Sequence, residues 1–339
     1  MATRLQDKKT DLLARVAGRL HDKLDDPLAR LAEAFARHYY RAVPPADLVD
    51  RDPLDLYGAA LAHLRFGEQR QPRQAKARVY NPQIEQHGWQ STHTIVEVVT
   101  DDMPFLVDSV SMALNRLGLL IHLTIHPVIR VRRDAEGVLD AVLELDAATG
   151  DGGDGTFESF MHVEVDRQSD AERLETIRAE LERALGDVRA AVEDWKAMLG
   201  KIATAHADLK NGARVIDPED LEEADAFLAW IADDHFTFLG YGCYDLVRAK
   251  DGDQLRRVEG SALGLLRRQG PASATSHSFA ALPPDIRRRA RDPVPLVITK
   301  ANARSTVHRP VYLDFIGVKR FDAEGRVVGE HRFLGLFTS

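Results

Sequence analysis

Histidine and acidic side chains alternate with apolar residues along predicted strands in the middle of the chain. His122 and His126 lie in one such segment, and His162 and Glu164 lie in another. Glu144 lies in a third segment between them. Alternate side chains on a strand share one face, and imidazole nitrogens are ordinary zinc ligands. We expect these side chains to lie on one solvent-facing side of a sheet. A solvated surface or an interface is favoured there over a metal site.

Two further clusters are candidates for a small effector. An acidic turn follows a buried strand, and it contains Asp101, Asp102, Met103, Pro104 and Phe105. Carboxylates at a helix N-terminus are favoured by the helix dipole, so capping is the first interpretation of this turn and ligand contact the second. A basic cluster is predicted between two strands, and it contains Lys300, Arg304, His308 and Arg309. A solvated loop or an interdomain contact is the first interpretation of this cluster. Binding of an acidic metabolite is the alternative.

Three other patterns carry little chemistry. Asp108 and Ser109 have no G-x-S-x-G nucleophile elbow near them. Gly240 and Gly242 lack the third glycine and the helix start of a dinucleotide fingerprint. The glycine-rich segment 151–155 lacks the Lys-Ser/Thr of a P-loop and the spaced acids of an EF-hand, which favours a flexible hairpin loop.

The acidic turn belongs to a strand–turn–helix–strand segment. Ile95–Val99 is β-rich and predicts a buried strand. Pro104 suits the first turn of the helix, and Gly118 suits its C-cap. Alternation over residues 121–131 predicts one long, half-buried strand. The apolar helix face contains Leu106, Val110, Ala113, Leu114 and Leu117.

Further elements extend this unit on both sides. Residues 139–145 and 161–165 alternate as strands, and apolar spacing of three to four residues predicts a long helix from about residue 170 to 207. The order resembles the ACT domain, a ferredoxin-like βαββαβ module that binds amino acids in many metabolic enzymes. ACT domains usually carry glycine where Phe105 stands. Because Phe has a Cβ and a ring, a ligand approaches the backbone less closely, and a packing role is expected instead.

The fold class is therefore α+β with three predicted parts. Helical spacing marks residues 1–75 as a helical N-terminal segment. An ACT-like domain with a long C-terminal helix is expected over residues 76–200, and a second, ACT-like α/β domain over residues 201–339. The second domain is expected to be truncated at its C-terminus, because the chain stops in an apolar run.

Composition restricts the partners and the compartment. The 339 residues carry a net charge of −8, so attraction to nucleic acid or an anionic membrane is not expected. The single cysteine, Cys243, excludes an internal disulfide framework and fits a reducing cytoplasm. No apolar stretch reaches the roughly 18 residues of a membrane span.

A combination of motifs carries a more specific resemblance. The segments are DDMPFLVDSV, HPV, FTFLGY, TKANARSTVHRPVYLDFIGVKRFD and GEHRFLGLFTS. Together they resemble the N-terminal region of the large bacterial NAD-specific glutamate dehydrogenases, from about residue 90 onward. The resemblance implies a homo-oligomeric parent that converts glutamate and NAD to 2-oxoglutarate, ammonia and NADH in a downstream domain.

For this chain, the resemblance implies a non-catalytic regulatory and assembly region without a cofactor of its own. Its expected partners are other domains and subunits of the enzyme and an amino-acid or dicarboxylate effector. We expect the first unit to serve mainly in packing, and any effector to involve Lys300, Arg304 and Arg309. A free-standing amino-acid sensor is the alternative, and a hydrolase or nucleotide enzyme is a third, disfavoured interpretation.

Overall fold

The structure is a computed structural model, and it forms two compact units, Met1–Leu185 and Gly186–Ser339. Each unit contains an antiparallel sheet with helices, so the predicted α+β class is confirmed. The predicted loop at 151–155 lies outside the described residues apart from Gly155. The described residues are 2–144, 155–250, 252–269, 276–281, 283 and 287–338.

Four helices open the first unit, which agrees with the helical segment predicted there. Proline and capping residues set their starts: Asp52 precedes Pro53 and accepts a hydrogen bond of 2.8 Å from the backbone N–H of Leu54. The helices are α1 (Ala2–Lys23), α2 (Asp26–Arg41), α3 (Pro45–Leu48) and α4 (Pro53–Gly67).

The first sheet has the order β1-β2-β6-β4-β5, and β3 also pairs with β6. Its strands are β1 (Lys76–Tyr80), β2 (Thr94–Asp101), β3 (Ile121–Ile125), β4 (Val128–Arg133), β5 (Leu139–Leu143) and β6 (Thr156–Val165). The helices among them are α5 (Ile84–His87), α6 (Leu106–Arg116) and the long α7 (Ala171–Lys210). In a βαββαβ order, the last strand would follow α7. Here the edge position beside β2 is occupied by β1, which precedes the motif in the chain.

The single long strand expected over residues 121–131 is wrong, because it is divided into β3 and β4. Both halves pair with β6, with Ile125 opposite His162 and Val128 opposite Ser159. Pro127 lies at the break, and a proline cannot donate to the ladder. Its carbonyl still accepts a 3.1 Å hydrogen bond from the N–H of Phe160.

The expected helix start at Pro104 is also wrong, since α6 begins at Leu106. Phe105 adopts a left-handed conformation with φ of 72°, which an α-helix cannot contain. The ACT position that usually holds glycine therefore keeps a glycine-like backbone conformation while carrying a phenylalanine side chain. Gly118, with φ of 77°, follows the helix as predicted.

Both faces of the first sheet are buried at the central strands β2 and β6. One face packs against α2 and α4, on which α1 packs in turn, and the shared apolar core includes Phe35, Tyr39, Ile129 and Phe160. The other face carries Val96, Val98, Met161 and Val163, all buried, and α6 contributes buried Leu106, Val110 and Leu114. The strand β6 is buried from Glu158 to Val165 as a consequence.

The second unit contains a sheet of order β10-β11-β12-β7-β8, with β9 paired to β7. Its strands are β7 (Phe236–Ala249), β8 (Gly252–Arg257), β9 (Leu263–Gly264), β10 (Leu296–Arg304), β11 (Tyr312–Phe321) and β12 (Val327–Phe337). Two further helices are α8 (Pro218–Trp230), which has Asp217 as its N-cap and proline in its first turn, and the short α9 (His277–Ala280).

One face of the second sheet is covered by helices. Met198 and Leu209 of α7 and Leu228 of α8 share a core with Ile316 and Phe333 of the sheet. Among the described residues of the whole chain, no helix is both long enough and apolar enough to cross a bilayer.

Replacing Leu114 by Asp tests the packing of α6. Leu114 is fully buried, so the unpaired carboxylate should lower the free energy of unfolding by roughly 3–5 kcal/mol. The neighbouring Asn115→Asp adds the same charge at an exposed position and should change stability by less than about 1 kcal/mol. Urea unfolding monitored by circular dichroism measures both, and equal effects would show that this helix face is misassigned.

Candidate functional site

An ionisable cluster lies between the first sheet and the N-terminal helices. Glu158, His162 and Glu164 alternate along β6 on the face that Phe160 presents to α2. Glu97 of β2 is the cross-strand partner of His162 and is equally buried. The predicted solvent-facing side of the sheet is therefore wrong for His162 and Glu164, because α2 and the connection between α3 and α4 cover them.

The five side chains considered for a metal do not form one site. His122 lies 3.3 Å from Asp166, and His126 hydrogen-bonds to the Ser159 hydroxyl at 3.0 Å. Glu144 pairs with Arg37 of α2. Of the predicted set, His162 and Glu164 are neighbours, with 3.7 Å between the His162 Nε2 and a Glu164 carboxylate oxygen.

Arg51 compensates the charge of Glu164. It lies between α3 and α4, and its Nη1 and Nη2 donate to the two carboxylate oxygens at 2.5 and 2.9 Å. Burial alone would raise the pKa of the Glu164 carboxyl, but the nearby His162 and the hydrogen bonds from Arg51 lower the pKa to about 2. Glu164 is therefore a carboxylate at neutral pH, and the N-terminal segment supplies its counter-ion.

Glu158 is held by two arginines. Arg70, 2% exposed, follows α4 and donates through Nη2 to Glu158 at 2.6 Å and to Asp101 at 2.8 Å. Arg133 of β4 binds both oxygens of Glu158 at 2.7 Å. Because Glu158 is fully buried, its charge is tolerated only with these partners. The connector after α4 is thereby fixed to the centre of the sheet.

A third group contains His63, Glu97 and His162, whose potential metal-ligating atoms lie within 4.8 Å of one another. His63 already contacts the Tyr39 hydroxyl at 3.0 Å and the Val98 carbonyl at 3.3 Å. A metal would have to displace these contacts.

Glu97 is engaged in the same way. It accepts hydrogen bonds from Arg78 and from the Tyr80 hydroxyl. Burial lowers the pKa of His63 to about 4, despite the nearby Glu97 carboxylate. The geometry therefore fits a buried hydrogen-bond network with a neutral His63 better than a metal centre.

A cavity of about 520 Å³ opens beside this network. Its floor contains Ile125, His162 and Glu164 of the sheet, and its walls come from the α3–α4 region and residues 89–93. Arg51 and His93 also line it. Its size is that of a small-molecule site, roughly 300–1,000 Å³, and it combines apolar walls with a few polar groups.

The predicted acidic turn is engaged within the protein. Asp101 pairs with Arg70, and Asp102 accepts a 2.6 Å hydrogen bond from the Ser159 hydroxyl. Because that hydroxyl donates to Asp102, His126 must donate its Nε2–H to the Ser159 oxygen. Of the other residues predicted there, Pro104 is exposed, while Met103 and Phe105 are half-buried.

The predicted basic cluster lies in the second unit, on β10 and the loop that follows it. Lys300 pairs with Asp314 at 2.6 Å. Arg309 donates to the Phe337 carbonyl at 2.7 Å, and the guanidinium of Arg304 lies 5.1 Å from the centre of the Tyr312 ring. His308, with φ of 72°, belongs to the same loop. Lys300 and Arg304 remain exposed, whereas Arg309 is half-buried.

Sequence inspection missed Arg51, Arg70 and Arg78, which neutralise the buried carboxylates. They stand among ordinary surface-type residues after helices or on an edge strand. The sequence signal for these buried charges was the alternation of charged and apolar residues along β6. Such alternation predicts solvent exposure unless distant arginines are known to face it.

The chain is similar to proteins of known classification. Residues 35–181 match the family described as glutamate dehydrogenase, ACT1 domain. The NAD-specific glutamate dehydrogenase of Halomonas elongata is 39% identical over 98% of the chain and 20% of that protein. This chain corresponds to the ACT-containing N-terminal region of the large NAD-specific glutamate dehydrogenase family.

Two further relatives agree with this assignment. The protein of the same name from Pseudomonas aeruginosa is 39% identical over 90% of the chain and 18% of that protein. The Mycobacterium tuberculosis protein is 27% identical over 82% of the chain and 16% of that protein. The chain thus spans about a fifth of the length of these relatives, and the match over residues 35–181 includes the end of α2, all of α3 and α4, and the ACT sheet.

Neutralising Glu158 tests the buried arginine network of the ACT unit. Glu158→Gln should lower the free energy of unfolding by about 3–5 kcal/mol, because Arg70 and Arg133 lose their charged partner in a buried place. Asp140→Asn is the control, since Asp140 pairs with Arg132 on the exposed part of the same sheet and should contribute at most about 1 kcal/mol. Chemical denaturation that gives the same loss for both variants would contradict the network.

His63 should make stability depend on pH. Its pKa is about 4 in the folded chain against 6.5 as the ordinary value, so the unfolded chain binds its proton first. The contribution of His63 to the free energy of unfolding is present above pH 6.5. It is lost as the pH falls towards 4, which lowers the free energy of unfolding by roughly 3 kcal/mol in total.

Unfolding free energies measured between those pH values should fall less steeply in His63→Gln than in the unmodified chain. His21→Gln, on the exposed surface of α1, should keep the full slope. A slope unchanged in His63→Gln would show that His63 titrates normally in the fold.

Proposed function

We propose that this chain is the regulatory and assembly region of an NAD-dependent glutamate dehydrogenase, and that it is not itself catalytic. The parent would oxidise L-glutamate with NAD and water to 2-oxoglutarate, ammonia and NADH. The observation that carries the proposal is the 39% identity over 98% of the chain but only 20% of a relative named NAD-specific glutamate dehydrogenase. NAD would be bound by another part of the parent.

Assembly is supported by how the ACT unit is built. Asp101 and Asp102 are committed to Arg70 and Ser159, and Phe105 stands where ACT domains usually have glycine. We therefore keep the interpretation that this turn serves packing rather than ligand contact. Lys300, Arg304 and Arg309 stay a proposed binding surface for an acidic effector, with Lys300 and Arg304 exposed.

The proposed partners are the other domains and subunits of a homo-oligomeric parent, together with a small effector. Neither nucleic acid nor membrane is proposed as a partner, given the net charge of −8. The single cysteine supports a cytoplasmic location.

The purified chain should produce no NADH from glutamate and NAD. Absorbance of NADH measures this, with the full-length parent enzyme as the positive control. A rate that is proportional to the concentration of the pure chain would overturn the non-catalytic assignment.

A second measurement tests regulation and assembly directly. In the full-length enzyme, Glu158→Gln alters only this region, so it should change the oligomeric state or the response of the rate to amino acids. Light scattering and steady-state kinetics measure the two properties. If both stay as in the unmodified enzyme while the ACT unit is demonstrably destabilised, this region has neither role.

A further inference from the structure

We propose that the cavity between the N-terminal helices and the ACT sheet binds a small organic cation, an aliphatic amine or a basic amino acid, as an effector. This inference rests on the proposed regulatory function and names a site for it. The cavity is formed by side chains from both layers of the first unit, including Leu48, Trp89, Ile125 and Glu164. A ligand bound there would contact helices and sheet together.

The cavity is separate from the acidic turn after β2. His93, which lines the cavity, immediately precedes β2, whereas Asp101 ends that strand. The eight residue steps from His93 to Asp101 correspond to roughly 26 Å of extended strand. Binding in the cavity would therefore leave the turn at Asp101–Phe105 unoccupied.

Charge selects the class of ligand. The described residues that line the cavity include the carboxylates of Asp50, Asp52, Asp55 and Glu164 and one arginine, Arg51. These carboxylates exceed the arginine by three negative charges. Such a cavity attracts cations and repels dicarboxylates.

Arg51 is a poor site for an anionic ligand. Both of its terminal nitrogens donate to Glu164, and its Nε donates to the Asp47 carbonyl at 2.9 Å. A carboxylate ligand would have to compete with Glu164, which is nearly fully buried and fixed in place. Arg51 is therefore engaged at the floor of the cavity, and the aspartate carboxylates at its rim are available to bind a cation.

His162 provides a second indication of a ligand. Its side chain is 98% buried and lines the cavity, with Nε2 3.7 Å from Glu164 and Nδ1 4.0 Å from Glu97. At that distance Nδ1 has no hydrogen-bond partner among the residues that the structure describes. A buried polar atom without a partner destabilises the fold, by about 1–3 kcal/mol in typical cases. A donor group of a ligand, or a water held by that ligand, would satisfy such an atom.

The walls define the rest of the ligand. Leu48, Leu56 and Ile125 offer aliphatic surface, and Trp89 offers an aromatic side chain. An aliphatic stem that ends in an ammonium group matches apolar walls below an acidic rim. A bare metal ion would leave the apolar surface unused.

Isothermal titration calorimetry of the 339-residue chain tests the proposal with matched probes. L-lysine and its decarboxylated analogue cadaverine carry the ammonium group and should bind saturably at one site. Norleucine, which lacks the side-chain ammonium, and glutarate, which is a dianion, should bind at least tenfold more weakly. Added salt should weaken the binding of the two cations.

The site is assigned by charge-neutralising variants. The double variant Asp50→Asn with Asp52→Asn should weaken the binding of lysine and cadaverine at least tenfold. Asparagine still caps α4, so the melting temperature should change little. The control double variant, Asp22→Asn with Asp25→Asn, removes the same charge at exposed positions outside the cavity and should leave the affinities unchanged.

Four results would overturn the proposal: no binding of either amine, preference for glutarate, binding of calcium ions without the amines, or equal loss of affinity in both double variants. None of these results affects the proposed function, which the activity and assembly of the full-length enzyme decide. Conversely, amine binding by the pure chain would stand even if the full-length enzyme proved insensitive to changes in this region.

Discussion

The first unit depends on the neutralisation of carboxylates that are buried between two layers. Glu158 and Glu164 point from the central strand of the sheet towards helices α1 to α4, and each is bound by an arginine from the N-terminal segment. An uncompensated charge in such a place costs several kcal/mol, so the helices and the sheet stabilise each other only as a pair. The N-terminal helices are therefore an integral layer of the ACT unit.

This arrangement supports the proposal of a regulatory region built on an ACT sheet whose usual ligand turn is held by internal hydrogen bonds. Arg70 and Ser159 bind the turn at Asp101 and Asp102, which supports its proposed packing role. The added helical layer creates instead a cavity over the face of the sheet that they cover, next to Arg51 and His162. A ligand bound there would contact both layers, and binding to the folded state alone would stabilise their association.

The sequence predicts much of the architecture because local spacing is sufficient for it. The apolar face around Leu114 and the strand alternation around Val163 identify α6 and β6 without any tertiary information. The break at Pro127 was missed because the alternation of apolar and polar residues continues through it. The left-handed conformation of Phe105 was missed because the residues around it favour a helix start.

The buried charges were harder to predict, because polar alternation looks the same under solvent and under a layer of arginines. Arg51 is 113 residues from Glu164, and Arg70 is 88 residues from Glu158. The most direct test of the account is a double-mutant cycle of Arg51→Met and Glu164→Gln, with Arg132→Met and Asp140→Asn as the exposed reference pair. The account predicts a coupling free energy above about 1.5 kcal/mol for the first pair and below about 1 kcal/mol for the second. Equal coupling in the two pairs would contradict it.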